Sequence, residues 1–388
     1  MSTAPCPIPR LPVFGWASLT GRKDPATATL LDLPNMHYST SGRASILLAL
    51  ETLGIGAGER MLLPTYHCLT MAAPAAERGV ALMFYPIDDS GAADLAWLNA
   101  QDLRGVRAIL VAHYFGLPQP MAAVRRWCDE KGIALIEDCA HALFGRSGER
   151  SIGAWGDIAI GSLTKFLPVP EGGCLVINNG KTPPALDACS TKTQLKAAID
   201  ILEEGARHCR LAGLNAMVSG PLRALRGLRA GPAPMPAAAD ALDQAPEGFS
   251  IDRPLAHRAL SRPSQWVTHC LPRERIVQRR RQRYAELSER LAGHNGLRPL
   301  LPALPPDCAP YVFPLWVEHP NPGYAELRRL GMPVFRWDRL WPSVPALAGD
   351  CGVTWSHHVL QLACHQDLED SELDQLVQTT LRLFSTEA

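Results

Sequence analysis

From about residue 42 to residue 180 the chain alternates short apolar runs with amphipathic stretches. The runs fall at 61–64, 81–85, 107–113, 133–136, 157–160 and 174–177. Short, uninterrupted apolar runs mark strands buried on both faces. Between them, 44–53, 71–78 and 121–131 predict helices, the last two with apolar residues at helical spacing. Strand, helix and strand in succession predict an α/β domain with a mainly parallel central sheet flanked by helices. Ligands of such sheets bind beyond the carboxyl ends of the strands, so the residues after each run are the ones to inspect.

The pattern changes on either side. Residues 1–35 read as a proline-rich arm. Residues 194–209 are polar and helical, and 223–236 is an Ala/Pro/Arg-rich stretch that reads as a loop within an insertion over about 190–250. A long helix over 273–292 follows, then strands over 311–317 and 332–336 and a final helix over 370–384. The expected organisation is the arm, a large α/β domain over 36–265 and a smaller α+β domain over 266–388.

Composition narrows the function. The chain has 388 residues, 47% hydrophobic and 20% charged, the balance of a soluble globular protein with a large core. Its 38 lysines and arginines equal its 38 acids, which argues against nucleic acid or an anionic membrane as the main partner. The densest basic stretch, Arg273-Glu-Arg-Ile-Val-Gln-Arg-Arg-Arg-Gln-Arg283, is interrupted and is expected to be a solvated helix face. No apolar stretch reaches the roughly 18 residues of a spanning helix, and the start is too proline-rich for a signal peptide. The eleven cysteines form no C-x-x-C pair and read as buried, reduced thiols of a cytoplasmic protein. His357, His358 and His365 give only a weak metal signal, and no metal is expected.

Three strand ends carry chemistry. Ser41-Gly-Arg-Ala-Ser45 is a small-residue turn feeding a helix, whose first amides and dipole suit a phosphate. Ile133-Ala-Leu-Ile-Glu-Asp-Cys-Ala-His141 places Glu137 and Asp138 on opposite faces of a strand, so one faces a ligand while the other is satisfied behind it. His141 lies close enough to share the pocket. Asp157-Ile-Ala-Ile-Gly-Ser-Leu-Thr-Lys165 delivers a lysine between Leu163, Phe166 and Leu167, walls that favour its amine form. The chain has only six lysines, so there are few rivals. Anion cradle, acid and lysine together are the equipment for pyridoxal 5'-phosphate. That cofactor needs its phosphate anchored, its ring nitrogen held protonated and a lysine to form the Schiff base.

These pieces resemble the DegT/StrS-type sugar aminotransferases of the fold type I pyridoxal phosphate superfamily. Ser41-Gly-Arg-Ala44 is similar to the family's S-G-T-A turn, and Gly56-Ala-Gly-Glu-Arg-Met-Leu-Leu-Pro64 to its G-x-G-D-x-V-x-x-P. Val111-Ala-His-Tyr-Phe-Gly-Leu-Pro118 resembles V-x-H-x-x-G-x-P. Ile136-Glu-Asp-Cys-Ala-His-Ala142 resembles I-E-D-A-A-Q-A, and Lys165 through Glu171-Gly-Gly173 resembles K-x(5)-E-G-G. Leu362-Ala-Cys-His-Gln-Asp-Leu368 is similar to L-P-x-H-x-x-L.

The resemblance implies that Lys165 is the Schiff-base lysine and proton shuttle, and that Asp138 pairs with the ring nitrogen. His141 stands where a glutamine usually meets the ring oxygen. Gly42, Arg43 and Ala44 would hold the phosphate through backbone N–H groups, with Ser162 adding a hydroxyl. The family's ring-stacking aromatic lies four residues after the proline, where this chain has Cys68. Tyr66 or His67 is expected in its place, His67 by preference. The usual asparagine-tyrosine-arginine segment is not recognisable around 245–270. The implied function is transfer of an amino group from an amino-acid donor to a carbonyl acceptor, a nucleotide-linked ketosugar or another biosynthetic intermediate. It implies a homodimer with shared active sites. The alternatives are another pyridoxal phosphate reaction (lyase, decarboxylase or condensation) and a non-catalytic binding or regulatory relative.

Overall fold

The structure of the protein, a computed structural model, describes residues 6–21, 27–215 and 250–384. The Ala/Pro/Arg-rich stretch over 223–236, and with it most of the expected insertion, lies outside the described residues. The first strands and helices are β1 (Met36–Ser39), α1 (Gly42–Leu53), β2 (Arg60–Pro64), α2 (Leu69–Glu77), β3 (Ala81–Tyr85), α3 (Leu95–Asn99) and β4 (Val106–Ala112). Then come α4 (Met121–Lys131), β5 (Ala134–Asp138), the hairpin β6 (Arg146–Ser147) and β7 (Arg150–Ser151), β8 (Ile158–Ser162), β9 (Gly173–Ile177) and α5 (Thr191–Arg207). The seven-stranded sheet has the order β1-β9-β8-β5-β4-β2-β3. Strands β3, β2, β4, β5 and β8 run parallel, whereas β9 is antiparallel to both its neighbours, β8 and the edge strand β1. The mainly parallel α/β fold is therefore present. The apolar runs became its central strands because helices cover both faces and leave few positions for water.

The register aligns the strand ends. Ala112 pairs with Asp138, and Asp138 with Ile160, so β4, β5 and β8 finish nearly flush. Helix α1 starts beside them, capped by Ser41, whose Oγ accepts from Ala44 N at 3.1 Å. Gly173 lets β9 pass directly against the backbone of Ser41, where a Cβ would collide, which explains one glycine of the Glu-Gly-Gly motif.

A four-stranded antiparallel sheet has the order β10-β11-β13-β12, from β10 (Leu297–Pro299), β11 (Val312–Val317), β12 (Val334–Phe335) and β13 (Val359–Ala363). The long helix Arg273–Leu291 and the closing helix Asp370–Phe384 pack on it around Tyr284, Leu287, Phe313, Leu362 and Leu376.

The long helix corrects one expectation. Its buried stripe is Ile276, Arg280, Arg283, Tyr284, Leu287 and Leu291, so two arginines point inward at helical spacing rather than into solvent. They tolerate burial because carbonyls wait for them: Arg283 donates to Leu368 O and pairs with Asp370 and Glu286. A second correction concerns the thiols. Cys6 and Cys209 form a disulfide between the arm and the residues just after α5, and the other nine cysteines are free. The two lie 203 residues apart in sequence, and only the fold brings them together.

Candidate active site

Beyond the ends of β4, β5 and β8 lies a cavity of about 410 Å³, within the range of small-molecule sites. Its wall includes Ser41, Gly42, Arg43 and Ala44 of the α1 turn, Asp138 and His141 after β5, and Ser162 and Lys165 after β8. The structure thus brings together seven of the eight expected site residues.

The neighbours Glu137 and Asp138 divide as strand alternation requires. Glu137 is turned away from the cavity and is completely buried. It accepts from Gly153 N at 2.7 Å, Trp155 N at 2.9 Å, Gly156 N at 3.0 Å and His113 Nε2 at 3.0 Å. Burial alone would raise its pKa, but these donors overturn that and hold it below the ordinary glutamate value. His113 Nδ1 accepts from Gln119 N at 2.8 Å, so Nε2 carries the proton given to Glu137. His113, Glu137 and Cys139 bring ligand-type atoms within 4.8 Å of one another. Both ring nitrogens are nevertheless committed, leaving no lone pair for a metal.

Asp138 faces the cavity. One of its oxygens accepts from Ala140 N at 2.8 Å. Burial raises its pKa, against the pull of Lys165, Ala140 N–H and His113. Lys165 ends a short 3₁₀ turn and is partly exposed, into the cavity. Burial lowers its pKa while Cys68 and Asp138 draw it back up. An amine whose proton is loosened by burial, close to a carboxylate, is suited to proton transfer. Its Nζ lies 5.3 Å from the ring centroid of Tyr311. His141 is wedged between Tyr311 and Trp337, with ring centroids at 4.5 and 4.8 Å. Burial and the nearby Lys165 push its pKa well down, so the imidazole is neutral. Its Nδ1 is buried with no hydrogen-bond partner among the described residues.

The residues fit pyridoxal phosphate. The orphaned Nδ1 of His141 calls for a polar group in the cavity. A Cβ on Gly42 would lie 3.4 Å from Ser162 Cβ, so glycine keeps the space between helix start and serine open. Ala44 N–H is taken by the Ser41 cap, which moves the expected anion cradle to the amides of Gly42 and Arg43.

His67 is the expectation the structure corrects. It does not line the cavity; it is fully buried behind β2 and stacks on Phe84 at 5.1 Å. Its Nε2 accepts from Trp341 N at 3.1 Å, so Nδ1 carries the proton and donates to Pro64 O and Thr65 O. Burial lowers its pKa to about 4. Tyr66 is buried too, with its hydroxyl accepting from Gln361 Nε2 at 3.1 Å. The aromatics at the cavity wall are instead Tyr114, just after β4, and Trp337, on the loop after β12 and backed by Tyr66 at 5.0 Å. Sequence reasoning missed Trp337 and Tyr311. A tryptophan inside the charged stretch Arg336-Trp-Asp-Arg339 was the one available signal.

Near the carboxyl end, His358 Nδ1 meets Val317 O at 3.1 Å and His365 Nε2 meets Pro9 O at 3.0 Å. Gln366 donates to Phe166 O at 2.9 Å, so the motif at 362–368 closes on the turn that carries Lys165.

Known proteins bear on this geometry. The chain is 31% identical over 119 residues to a UDP-N-acetyl-3-dehydro-alpha-D-glucosamine 3-aminotransferase of Acidithiobacillus ferrooxidans, covering 30% of this chain and 32% of that protein. It is 30% identical over 146 residues to an L-glutamine:2-deoxy-scyllo-inosose aminotransferase of Streptoalloteichus tenebrarius, covering 37% and 34%. The alignments therefore span about a third of these relatives' lengths. Among solved structures, the Helicobacter pylori aminotransferase PseC superposes with a TM-score of 0.61 at 14% identity, covering 91% of this chain and 87% of that one. At that identity the likeness is one of fold. Residues 30–197 match the DegT/DnrJ/EryC1/StrS aminotransferase family. That segment holds every cavity residue from Ser41 to Lys165, and over it the resemblance read from the motifs stands.

Proposed function

We propose that the protein is a pyridoxal phosphate-dependent aminotransferase that moves an amino group from an amino acid to a carbonyl carbon of a cyclic acceptor, a ketosugar or a related ring. The observation that carries this is the meeting of Lys165, Asp138 and the start of α1 in one cavity. The acceptor class draws on the relatives, which by name act on a dehydro-glucosamine nucleotide and an inosose.

When bound, the cofactor supplies an electron sink for negative charge at the substrate's α-carbon. Gly42 and Arg43 would bind its phosphate through backbone amides, and Ser162 through its hydroxyl. Asp138 would hold the ring nitrogen in its protonated form through a charge-assisted, enclosed bond. The orphaned His141 Nδ1 would take the ring hydroxyl. Lys165 Nζ would take the α-proton as the free amine and return it as the ammonium so formed. Trp337 and Tyr311 exclude water from that amine. The domain division near residue 265 and a homodimer with shared sites belong to this reading, as does a cytoplasmic setting, where the nine free thiols fit and the Cys6–Cys209 bond would stand open.

The test is a donor screen on protein loaded with the cofactor. Wild type should show visible cofactor absorbance that bleaches with an amino donor and releases the matching keto acid. Lys165→Ala should lose both. Persistence of both in Lys165→Ala would remove Lys165 from the chemistry.

A further inference from the structure

Arg280 is buried beyond any need of the helix that carries it. None of its surface is exposed, and burial lowers its pKa to about 10. Among the described residues no carboxylate forms an ion pair with it; its partners are neutral. Nε donates to Gln366 Oε1 at 2.8 Å. Nη1 donates to Pro310 O at 2.9 Å and Tyr311 O at 3.1 Å, and Nη2 donates to Lys165 O at 2.8 Å. The guanidinium plane also lies 4.5 Å from the Phe166 ring centroid. Asp367 lies near enough to act on it without forming an ion pair, yet a buried charge with no direct partner is expensive, and a neutral residue would fill the space more cheaply. What no neutral side chain supplies is a rigid fork of donors aimed at several carbonyls at once.

Those carbonyls are not scattered. One is Lys165's own, and another belongs to Tyr311, whose ring underlies the lysine amine. Gln366, held by Arg280, holds Phe166 O in turn, so the peptide groups on both sides of Phe166 are clamped from the long helix and the segment after β13. From these contacts we infer that Arg280 is a positioning residue for Lys165, locking the lysine turn and the Tyr311 wall into one arrangement. The inference rests on the reading of Lys165 as the reactive amine. The groups facing that amine are Asp138 and His141 after β5, Cys68 after β2 and Tyr311 before β11. Arg280 acts by holding the amine among them.

The experiment is competitive labelling of lysines with trace acetic anhydride across pH, on full-length protein stripped of cofactor, read by peptide mass spectrometry. The five other lysines serve as internal references. In wild type Lys165 should become reactive at lower pH than they do. In Arg280→Met, and equally in Arg280→Lys, which keeps the charge but loses the fork, its curve should move towards theirs by on the order of one pH unit. Curves that coincide with wild type in both variants overturn the inference, even if the variants are less stable. Should the variants not fold, Gln366→Ala must shift the same curve in the same direction, and an unmoved curve is again fatal. A wild-type Lys165 that titrates with the reference lysines would instead sink the reading of Lys165 itself, and this inference with it.

Discussion

Two adjacent carboxylates show how far one position along a strand changes a residue's task. Glu137 is ringed by donors behind the sheet, and Asp138 keeps an oxygen for the cavity. Glu137→Ala should destabilise the protein by about 3–5 kcal/mol, because it strands the buried His113 and three amides; urea unfolding measures this. The pH dependence follows from the depressed pKa of Glu137. Its contribution is complete above the unfolded glutamate value of about 4.3 and disappears as pH falls through the lower folded value. Asp138→Asn should do the reverse. Its carboxyl is already raised by burial, so the amide costs no stability. Turnover should nevertheless fall by roughly 10²–10³-fold, the scale on which a preorganised electrostatic partner contributes. A variant that unfolds early and keeps full turnover would exchange the two assignments.

At the level of elements, the sequence pattern was reliable wherever burial on both faces decided the outcome. The central strands and helix α4 lie where the apolar runs placed them, and the closing helix starts and stops where its pattern does. Residues whose position is set across the fold could not be read this way. His67 looked available because it neighbours Cys68, which holds the place of the resembled family's ring-stacking aromatic, yet Trp341 draws it inward from far along the chain. Arg280 looked solvated because no local pattern announces the carbonyls that await it. Trp337 reaches the site only because β12 pairs with β13. One motif residue was legible and is now explained. Gly116 has φ of 95°, and a Cβ there would strike the backbone of Ala309 and Tyr311 where the loop after β4 meets the second sheet. Tyr311 N donates to Phe115 O at 2.7 Å across that contact. Gly116→Ala combines a left-handed conformation, worth about 1–3 kcal/mol, with the collision. Its thermal midpoint should drop well below that of an alanine substitution at half-buried Gly56, whose φ is not left-handed and where a Cβ has room. Equal midpoints would mean the loop has room to move.

The whole molecule is held across its length by the arm. Cys6 is bonded to Cys209, Pro7 O meets His208 Nδ1 at 2.6 Å and Pro9 O meets His365 Nε2 at 3.0 Å. Arm residues 7, 8 and 10–14 also share a second cavity of about 740 Å³ with Thr164 and Val169, on the loop that carries Lys165. The disulfide closes a loop of 203 residues, long enough for chain entropy to assign it about 5 kcal/mol. Cys6→Ser should lower stability by that amount, and a reductant should bring wild type to the same midpoint while leaving the variant unmoved. The comparison also separates compartments. In a glutathione-poised cytoplasm the bond would be open, so protein isolated from there under thiol-blocking conditions should denature like Cys6→Ser. A wild type indifferent to reductant would show that the histidine contacts hold the arm without help from the sulfurs.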